Sequence, residues 1–589
     1  MDASRAGASA RDPGTDRRRL RRDVGRTALL FASLGSIIGS GWLFASLFAA
    51  QLAGPAALIS WLIAGFAVLL IALIYSELGG MYPRSGGPAR FPHYSHGSIV
   101  GFTAGWMFWI ATVTIAPIEV EAALQYATNY LHGLTHTNAA GVITLSGPGY
   151  AVAAVLLVLF TLVNLWGVSR MAKTNAAIVW WKVAVPIVTL AALFVVGFHG
   201  SNLTADGGFA PFGLKGILEA LSAGGVIFAI VGFEQAVQLG GESTNPRRNI
   251  PFAVIGSLLI GGVIYILLQL SFLGALSHTA LSKGWSHVDF KGLFGPFAGL
   301  ATGLGLSWLA VLLYIDAVVS PLGTGLIYTG TSARVSYALG RNRYVPRPFE
   351  MLSRRGVPLV SILFSFAVGM LLLIPFPGWQ EFVGFISSAI VLAYGLAPLA
   401  LVALRREDPD RERPFRLPAA GILAPLGFVV ANLIVLFAGW LTDWKLFAAV
   451  GMGFVLFAFS YATNPARRPH LDWGPVVWLL PYLGGMALLS YLSSFDGKGT
   501  LPMGWDMLAV AAWSVLIYAA ALRTRLPAEH VRATIEAQER EEAEVGGAPR
   551  EPVVRVPEAE PRTAGVTTGS AERAPAGARS RSFRPGAPS

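Results

Sequence analysis

The stretch Gly35-Ser36-Ile37-Ile38-Gly39-Ser40-Gly41 sits in the middle of an apolar run, Thr27 to Leu52, that is long enough to cross a bilayer. Three glycines and two serines stand there in place of bulky apolar residues. Glycine weakens a helix by about 0.8–1 kcal/mol relative to alanine. Irregular backbone at membrane depth survives only where it is buried in protein or lines a water-filled cavity. Two readings are open at this point. One is a helix broken at mid-membrane, whose free N–H and C=O groups bind a solute or ion. The other is an unbroken helix whose Gly35/Gly39 pair forms a packing face.

Composition places the break in a membrane protein. Of 589 residues, 54% are hydrophobic and only 13% charged, against about 25% charged in an average soluble chain. In a soluble protein the formal charge of +11 would suggest a nucleic-acid partner. Here the placement of the charges matters more, and no nucleic acid is expected. The absence of cysteine excludes disulfides, thiolate metal sites and thiol catalysis. The first 26 residues are polar and arginine-rich and the first apolar run is too long for a signal-peptide core, so no cleavable leader is expected.

About fourteen apolar segments of spanning length follow, near 27–52, 54–78, 97–131, 149–168, 174–198, 216–241, 250–276, 298–333, 357–375, 380–404, 420–441, 444–462, 473–492 and 506–524. Alternate loops carry the arginines: Arg84 and Arg90, Arg170 with Lys173, Arg247 and Arg248, Arg334 to Arg355, Arg405 to Arg416, then Arg467 and Arg468. The intervening loops hold only Lys215, Lys283, Lys291, Lys445 and Lys498. By the positive-inside rule both termini are expected in the cytoplasm of a multi-pass cell-membrane protein. The expected organisation is a disordered basic tail (1–24), a ten-span transport core (25–404), four further spans (405–525) and a mostly disordered tail (526–589). Within that last tail, Ala528–Glu544 has the composition of a short charged helix.

The sixth span repeats the anomaly of the first: Gly224-Gly225-Val226-Ile227-Phe228-Ala229-Ile230-Val231-Gly232-Phe233-Glu234 puts glycines around an acid in an apolar run. Interrupted helices at corresponding places in two halves point to a transporter site built on inverted repeats. Spans one to five and six to ten would be those halves.

These residues resemble a family. Gly39-Ser40-Gly41, Gly232-Phe233-Glu234 and the run Gly241-Glu242-Ser243-Thr244-Asn245-Pro246-Arg247-Arg248-Asn249-Ile250-Pro251 are similar to the amino acid–polyamine–organocation permeases. So are Tyr75-Ser76-Glu77-Leu78, Pro83-Arg84-Ser85-Gly86-Gly87 and the basic stretch after span eight. The resemblance covers roughly 25–465. It implies an all-α polytopic protein with a leucine-transporter-type five-plus-five core, broken first and sixth helices and four additional helices. Within the family, Gly41-Trp42-Leu43-Phe44-Ala45 and Arg90-Phe91-Pro92-His93-Tyr94-Ser95-His96-Gly97 look most like the bacterial aspartate–proton symporter type. Glu234 departs from that type, since Gly-Phe-acid is more usual in neutral and cationic amino acid permeases, and the substrate's charge stays open.

An amino acid brings one carboxylate and one ammonium. The N–H groups that open the second half of a broken helix suit the carboxylate, here at Gly39, Ser40 and Gly41. Carbonyls that end the first half suit the ammonium, here those of Ser36 and Ile37 with Phe228 and Ile230. The resemblance adds Phe228 as the ring covering bound substrate. Glu234 is expected at the inner gate, at the substrate side chain, or bracing the helix break. Ionisable residues deep in a span are functional candidates by default. Lys182 in span five, about ten residues in, is one. Burial disfavours a charged amine, which suits reversible proton binding, and the resemblance implies that a lysine here replaces a coupling sodium. A static charge pair is the competing reading. Its expected acidic neighbours are Asp316 and one of Glu119 and Glu121, which point to different helix faces.

Proton-coupled amino acid uptake is therefore the expected function, with an amino acid exchanger or amino acid/polyamine antiporter as the alternative and a non-transporting sensor less favoured. No enzyme is expected: the sequence carries no metal-ligand cluster, no Gly-x-Ser-x-Gly elbow and no phosphate loop. No cofactor beyond a coupling proton, no metal and no obligate protein partner are expected, and membrane lipid surrounds the chain.

Overall fold

The computed structural model describes residues 23–84, 86–138, 143–165, 168–290, 295–353, 357–374 and 378–546, without the side chains of 168–176 and 541–546. Most of the two expected terminal tails lies outside these residues. The chain is an all-α polytopic membrane protein. Ten of its helical segments are long and apolar enough to cross a bilayer, and the remaining expected crossings are broken or shorter helices.

Span one is two helices, Arg26–Ile37 and Gly41–Ala53, and span two is Ala57–Met81. Gly87–Ala127 is a helix bent at Gly97, whose φ of 80° and ψ of −166° no other residue type adopts readily. The bend separates a short surface helix from span three proper, close to the start at 97 expected from sequence. Spans four and five are Gly147–Leu165 and Val168–Val196. Span six comes in three pieces, Gly213–Ser222, Val226–Ile230 and Gln235–Gln238. Pro246–Ala275 is span seven. One boundary needs correction: the segment expected as a single span over 298–333 is a short helix, Pro296–Gly303, then span eight, Ser307–Arg341. Gly305, at φ +74°, turns the chain between them.

Spans nine to fourteen are Leu359–Leu372, Trp379–Glu407, Ala420–Phe437, Trp440–Thr463, Val476–Leu492 and Trp505–Arg523. The charged stretch after them is a helix, Ala528–Gly546. A small antiparallel hairpin, Thr135–Thr137 with Ile143–Leu145, occupies the loop after span three. Its strands, three residues each, are too short for an alternation that sequence reading could detect.

Burial sorts the spans. The apolar length of span three is wholly enclosed and that of span ten nearly so, whereas spans four, five, twelve and fourteen bury a third or less. In a bilayer an enclosed span has protein on every side, whereas the others carry polar groups cheaply only on the face turned into the bundle. The arginine-bearing loops meet on one side of the bundle. Arg405 holds the fully buried Glu77, Arg334 pairs with Glu242, and Arg467 pairs with Glu350. The same side holds both described chain ends. Val24 exchanges backbone hydrogen bonds with Glu242 and Thr244, and Glu539 of the terminal helix meets Arg411. His96 is buried there and bonds the Ala521 carbonyl, and the half-buried His93 bonds Tyr344.

Candidate functional site

The two breaks lie against each other. Span one leaves the helix at Ile38 (φ −86°, ψ 87°) and restarts at Gly41. Span six leaves it at Val231 (φ −74°, ψ 155°), with Gly232 at φ +133°. A Cβ on Gly232 would lie 2.7 Å from Ile37 N and 2.8 Å from Ser36 C, and one on Gly41 would lie 2.7 Å from Ala229 Cα. The glycines are there because backbone meets backbone. Ser36, Ile37, Gly39, Gly41 and Phe228 line a small cavity at this junction, together with Glu119. Ser40, Ile230 and Glu234 are buried beside it but are not part of its wall.

Most of the polar groups exposed by the first break already have partners. Lys182 Nζ, fully buried, donates to the Gly35 carbonyl at 2.7 Å and to Thr324 Oγ1 at 2.6 Å. Thr324 in turn donates to the carbonyls of Gly35 and Ile38 at 3.1 and 3.2 Å. Tyr265 Oη donates to the Ile37 carbonyl at 2.8 Å. At the other edge of the break, Ser40 N–H donates to Glu119 Oε2 at 2.7 Å. The seat expected for a substrate carboxylate thus holds the protein's own carboxylate.

Glu119 and Asp316 are the acidic neighbours of Lys182. Asp316 is saturated by Trp181 Nε1 (2.8 Å), Ser320 Oγ (2.6 Å) and Trp42 Nε1 (3.1 Å). Glu121 is apart from this group. It is fully buried, neither carboxylate oxygen has a hydrogen-bond partner among the described residues, and its charged neighbour is Glu381. Of the two span-three acids, then, only Glu119 reaches the breaks, as their two-residue spacing implies.

Glu234 is committed to the second break. Its Oε2 accepts from Gly232 N at 2.8 Å and Tyr394 Oη at 2.7 Å, and its Oε1 accepts from Tyr328 Oη at 2.8 Å. Those three bonds tie the unwound part of span six to spans eight and ten. A carboxylate with three donors is well satisfied without any ligand.

Several residues at the site were not anticipated. Ser320, Thr324 and Tyr328 follow the expected Asp316 at intervals of four, a polar stripe along one face of span eight that the periodicity of a helix makes readable. Trp379 gave no such signal. Its Nε1 donates to Ser40 Oγ at 2.9 Å, and its ring contacts those of Phe44, Phe48 and Phe228 at centroid distances of 5.0, 5.5 and 5.8 Å. These rings close the site opposite the arginine-rich side. On the arginine-rich side, Val24 is joined to the loop after span six, and Arg334 Nε bonds Glu242 Oε1 at 3.0 Å.

Comparison with known proteins agrees with this architecture. A family profile described as amino acid permease matches residues 24–486. The chain is 39% identical to the glutamate/serine transporter AimA of Bacillus subtilis (strain 168), over 87% of this chain and 96% of that protein. It is 38% identical to the aspartate-proton symporter of the same organism, over 85% and 96%. The branched-chain amino acid permease BcaP of that organism is more distant, 24% identical over 76% and 94%. The chain belongs to the amino acid permease family.

Proposed function

We propose that this permease takes up an amino acid across the cell membrane together with a proton, with both termini in the cytoplasm, and that Lys182 carries the proton. The observation behind this is the seat of the Lys182 amine, on the carbonyl that ends the first half of span one and on the hydroxyl of Thr324 in span eight. A metal cation at such a place would be held by the same two oxygens. A protonated amine satisfies them with charge-assisted hydrogen bonds, about twice as strong as neutral ones. Loss of the proton weakens the tie between spans one, five and eight and releases the substrate-binding arrangement. An ion gives direction only by binding one state better than the other, and this arrangement supplies that difference.

The cavity wall suggests the substrate. It offers the hydroxyls of Thr324 and Tyr328 and the carboxylate of Glu119, which accepts from Ser40 N–H, beside the apolar Ile115, Phe228 and Val231, and among its described lining residues no basic side chain. That chemistry suits a small neutral amino acid such as serine, or an acidic one carried with a proton. Both kinds appear in the names of the two Bacillus subtilis relatives described above, a glutamate/serine transporter and an aspartate-proton symporter. The polyamine antiporter reading asks for an acid free to face the ligand: Glu234 is occupied by three donors of the protein, and Glu119, in the cavity wall, is engaged by Ser40 N–H.

The test is radiolabelled serine, glutamate and aspartate uptake into proteoliposomes under an imposed pH gradient without sodium. Wild type should accumulate at least one of them. Lys182→Ala should still exchange bound substrate but lose pH-driven accumulation, and Lys182→Arg should fail too, because arginine keeps its proton. Sodium-dependent uptake, or accumulation by Lys182→Ala equal to wild type, overturns proton coupling through this residue.

A further inference from the structure

A second pocket lies far from the broken helices, on the arginine-rich side, where spans eight and twelve end. Arg343, Ser460, Tyr461, Asn464, Arg467 and Arg468 form much of its wall. Three arginines therefore line one concavity, and among the described residues the carboxylate bonded to one of them is Glu350, on Arg467. Like charges brought together without a counter-ion repel, so the arrangement calls for an anion.

Each arginine retains donor capacity. Arg467 Nη2 bonds Glu350 Oε2 at 2.8 Å, while its Nη1 is buried and has no hydrogen-bond partner among the described residues. Arg468 donates through Nε to the Tyr461 carbonyl at 2.9 Å, and its guanidinium lies 5.0 Å from the centre of the Tyr461 ring. Tyr461 thus holds the guanidinium in place and leaves its outer N–H groups for a ligand. Arg343 adopts φ +62°, a conformation that glycine takes without strain and other side chains rarely do. Strained backbone of this kind concentrates at ligand sites, and here it presents a guanidinium at the pocket.

What lies next to the pocket selects the anion. On span twelve, immediately before Ser460, the large apolar residues Met452, Val455, Leu456 and Phe459 are exposed, with Val455 and Phe459 the most open at 69% and 68%. Their spacing of i, i+3, i+4 and i+7 forms one continuous face of the helix. An apolar stripe of membrane-spanning helix that ends in a basic pocket matches an amphiphile with an acyl chain and a phosphate. We propose that this pocket binds the phosphate of an anionic phospholipid, whose acyl chain lies along the Met452–Phe459 face of span twelve. Basic pockets at the ends of transmembrane helices are suited to such headgroups.

The experiment is native mass spectrometry of the full-length protein titrated with phosphatidylglycerol, with phosphatidylcholine as the zwitterionic comparison and inorganic phosphate as the free-anion comparison. The variant is Arg343→Gly with Arg468→Ala. The control is Arg540→Ala, which removes one exposed arginine of the terminal helix, far along the chain from both pocket segments. Wild type should retain phosphatidylglycerol in preference to phosphatidylcholine. Retention should fall about five-fold for each pocket arginine removed, ~25-fold for the pair, and stay unchanged in the control. Arg343→Gly relieves the backbone strain, so its melting temperature should not fall, and on its own it should still show the five-fold loss. The proposal fails if wild type and double variant retain phosphatidylglycerol equally, or if the control loses as much as the variant. It fails too if phosphatidylcholine binds wild type as well as phosphatidylglycerol. Inorganic phosphate alone raising the melting temperature of wild type but not of the variant would make this a free-anion site and overturn the lipid assignment.

Discussion

Gly41→Ala is the smallest change that separates the two breaks. An alanine Cβ at this position would stand 2.7 Å from Ala229 Cα and 2.8 Å from its Cβ. Carbon atoms in contact sit about 3.5–4.0 Å apart, so the segments have to part by roughly 0.8 Å or more. Neither side yields easily, because the neighbour, Ala229, is backbone within Val226–Ile230 and both segments are enclosed. Misplacement of a binding constellation by about 1 Å costs around 10²-fold in reactions that depend on alignment. Transport that needs both breaks in register should suffer similarly. The expected result is substrate uptake in proteoliposomes reduced by about two orders of magnitude, with protein still inserted and monodisperse. Gly65→Ala is the matched control, since a Cβ there meets nothing within 4 Å; it should transport normally, with helix propensity improved by up to ~1 kcal/mol. Uptake by Gly41→Ala at the Gly65→Ala level would show that the close approach of the breaks is irrelevant to transport.

Three further outcomes follow from the hydrogen bonds. Glu234→Gln keeps one acceptor oxygen but turns an NH2 group toward donors from Gly232, Tyr328 or Tyr394; thermal unfolding should report a loss of about 1–3 kcal/mol, with slower uptake and little change in half-saturation. A large rise in half-saturation alone would instead put Glu234 on the ligand. Thr324→Val removes an acceptor of the Lys182 amine, so the amine holds its proton less firmly and the pH profile of uptake should move toward acid. An unmoved profile would uncouple Thr324 from the proton. A double-mutant cycle on Arg334→Ala and Glu242→Ala, whose side chains are 12% and 4% exposed and 3.0 Å apart, should give a coupling of about 0.5–3 kcal/mol in thermal unfolding. Zero coupling would remove this pair from the closure of the arginine-rich side.

The parts of this protein legible in its sequence are those that local chemistry alone decides. Glycines at Gly39, Gly41 and Gly232 in otherwise apolar runs reveal interrupted helices, because no neighbour is needed to make glycine a poor helix former in a membrane. Lys182 and Asp316 are visible because charge at mid-span is expensive wherever the partner lies. Partnership itself was not legible. Glu234 has its three donors from its own break and from residues 94 and 160 positions away, and Trp379 reaches Ser40 across 339 positions. Nothing in periodicity encodes such pairings. The stripe from Asp316 to Tyr328 was legible and shows the limit of looking for charges alone, since three of its four members are hydroxyl residues. The split before span eight was missed for a related reason: Gly303 and Gly305 were absorbed into an apolar run whose length suited one helix.

The bond from Ser40 N–H to Glu119 bears on a step that has no substrate in it. A carrier that accumulates its cargo must come back empty, whereas an exchanger reorients only when loaded. For the unloaded carrier, the half-helix end would drag a naked donor through a closed, waterless passage, at a cost of about 1–3 kcal/mol for each orphaned group. A resident carboxylate that swings into the vacated seat removes that toll from the return journey. Glu119 would then act as a placeholder, and replacing it with a side chain that cannot accept a hydrogen bond should turn a net accumulator into a one-for-one swapper.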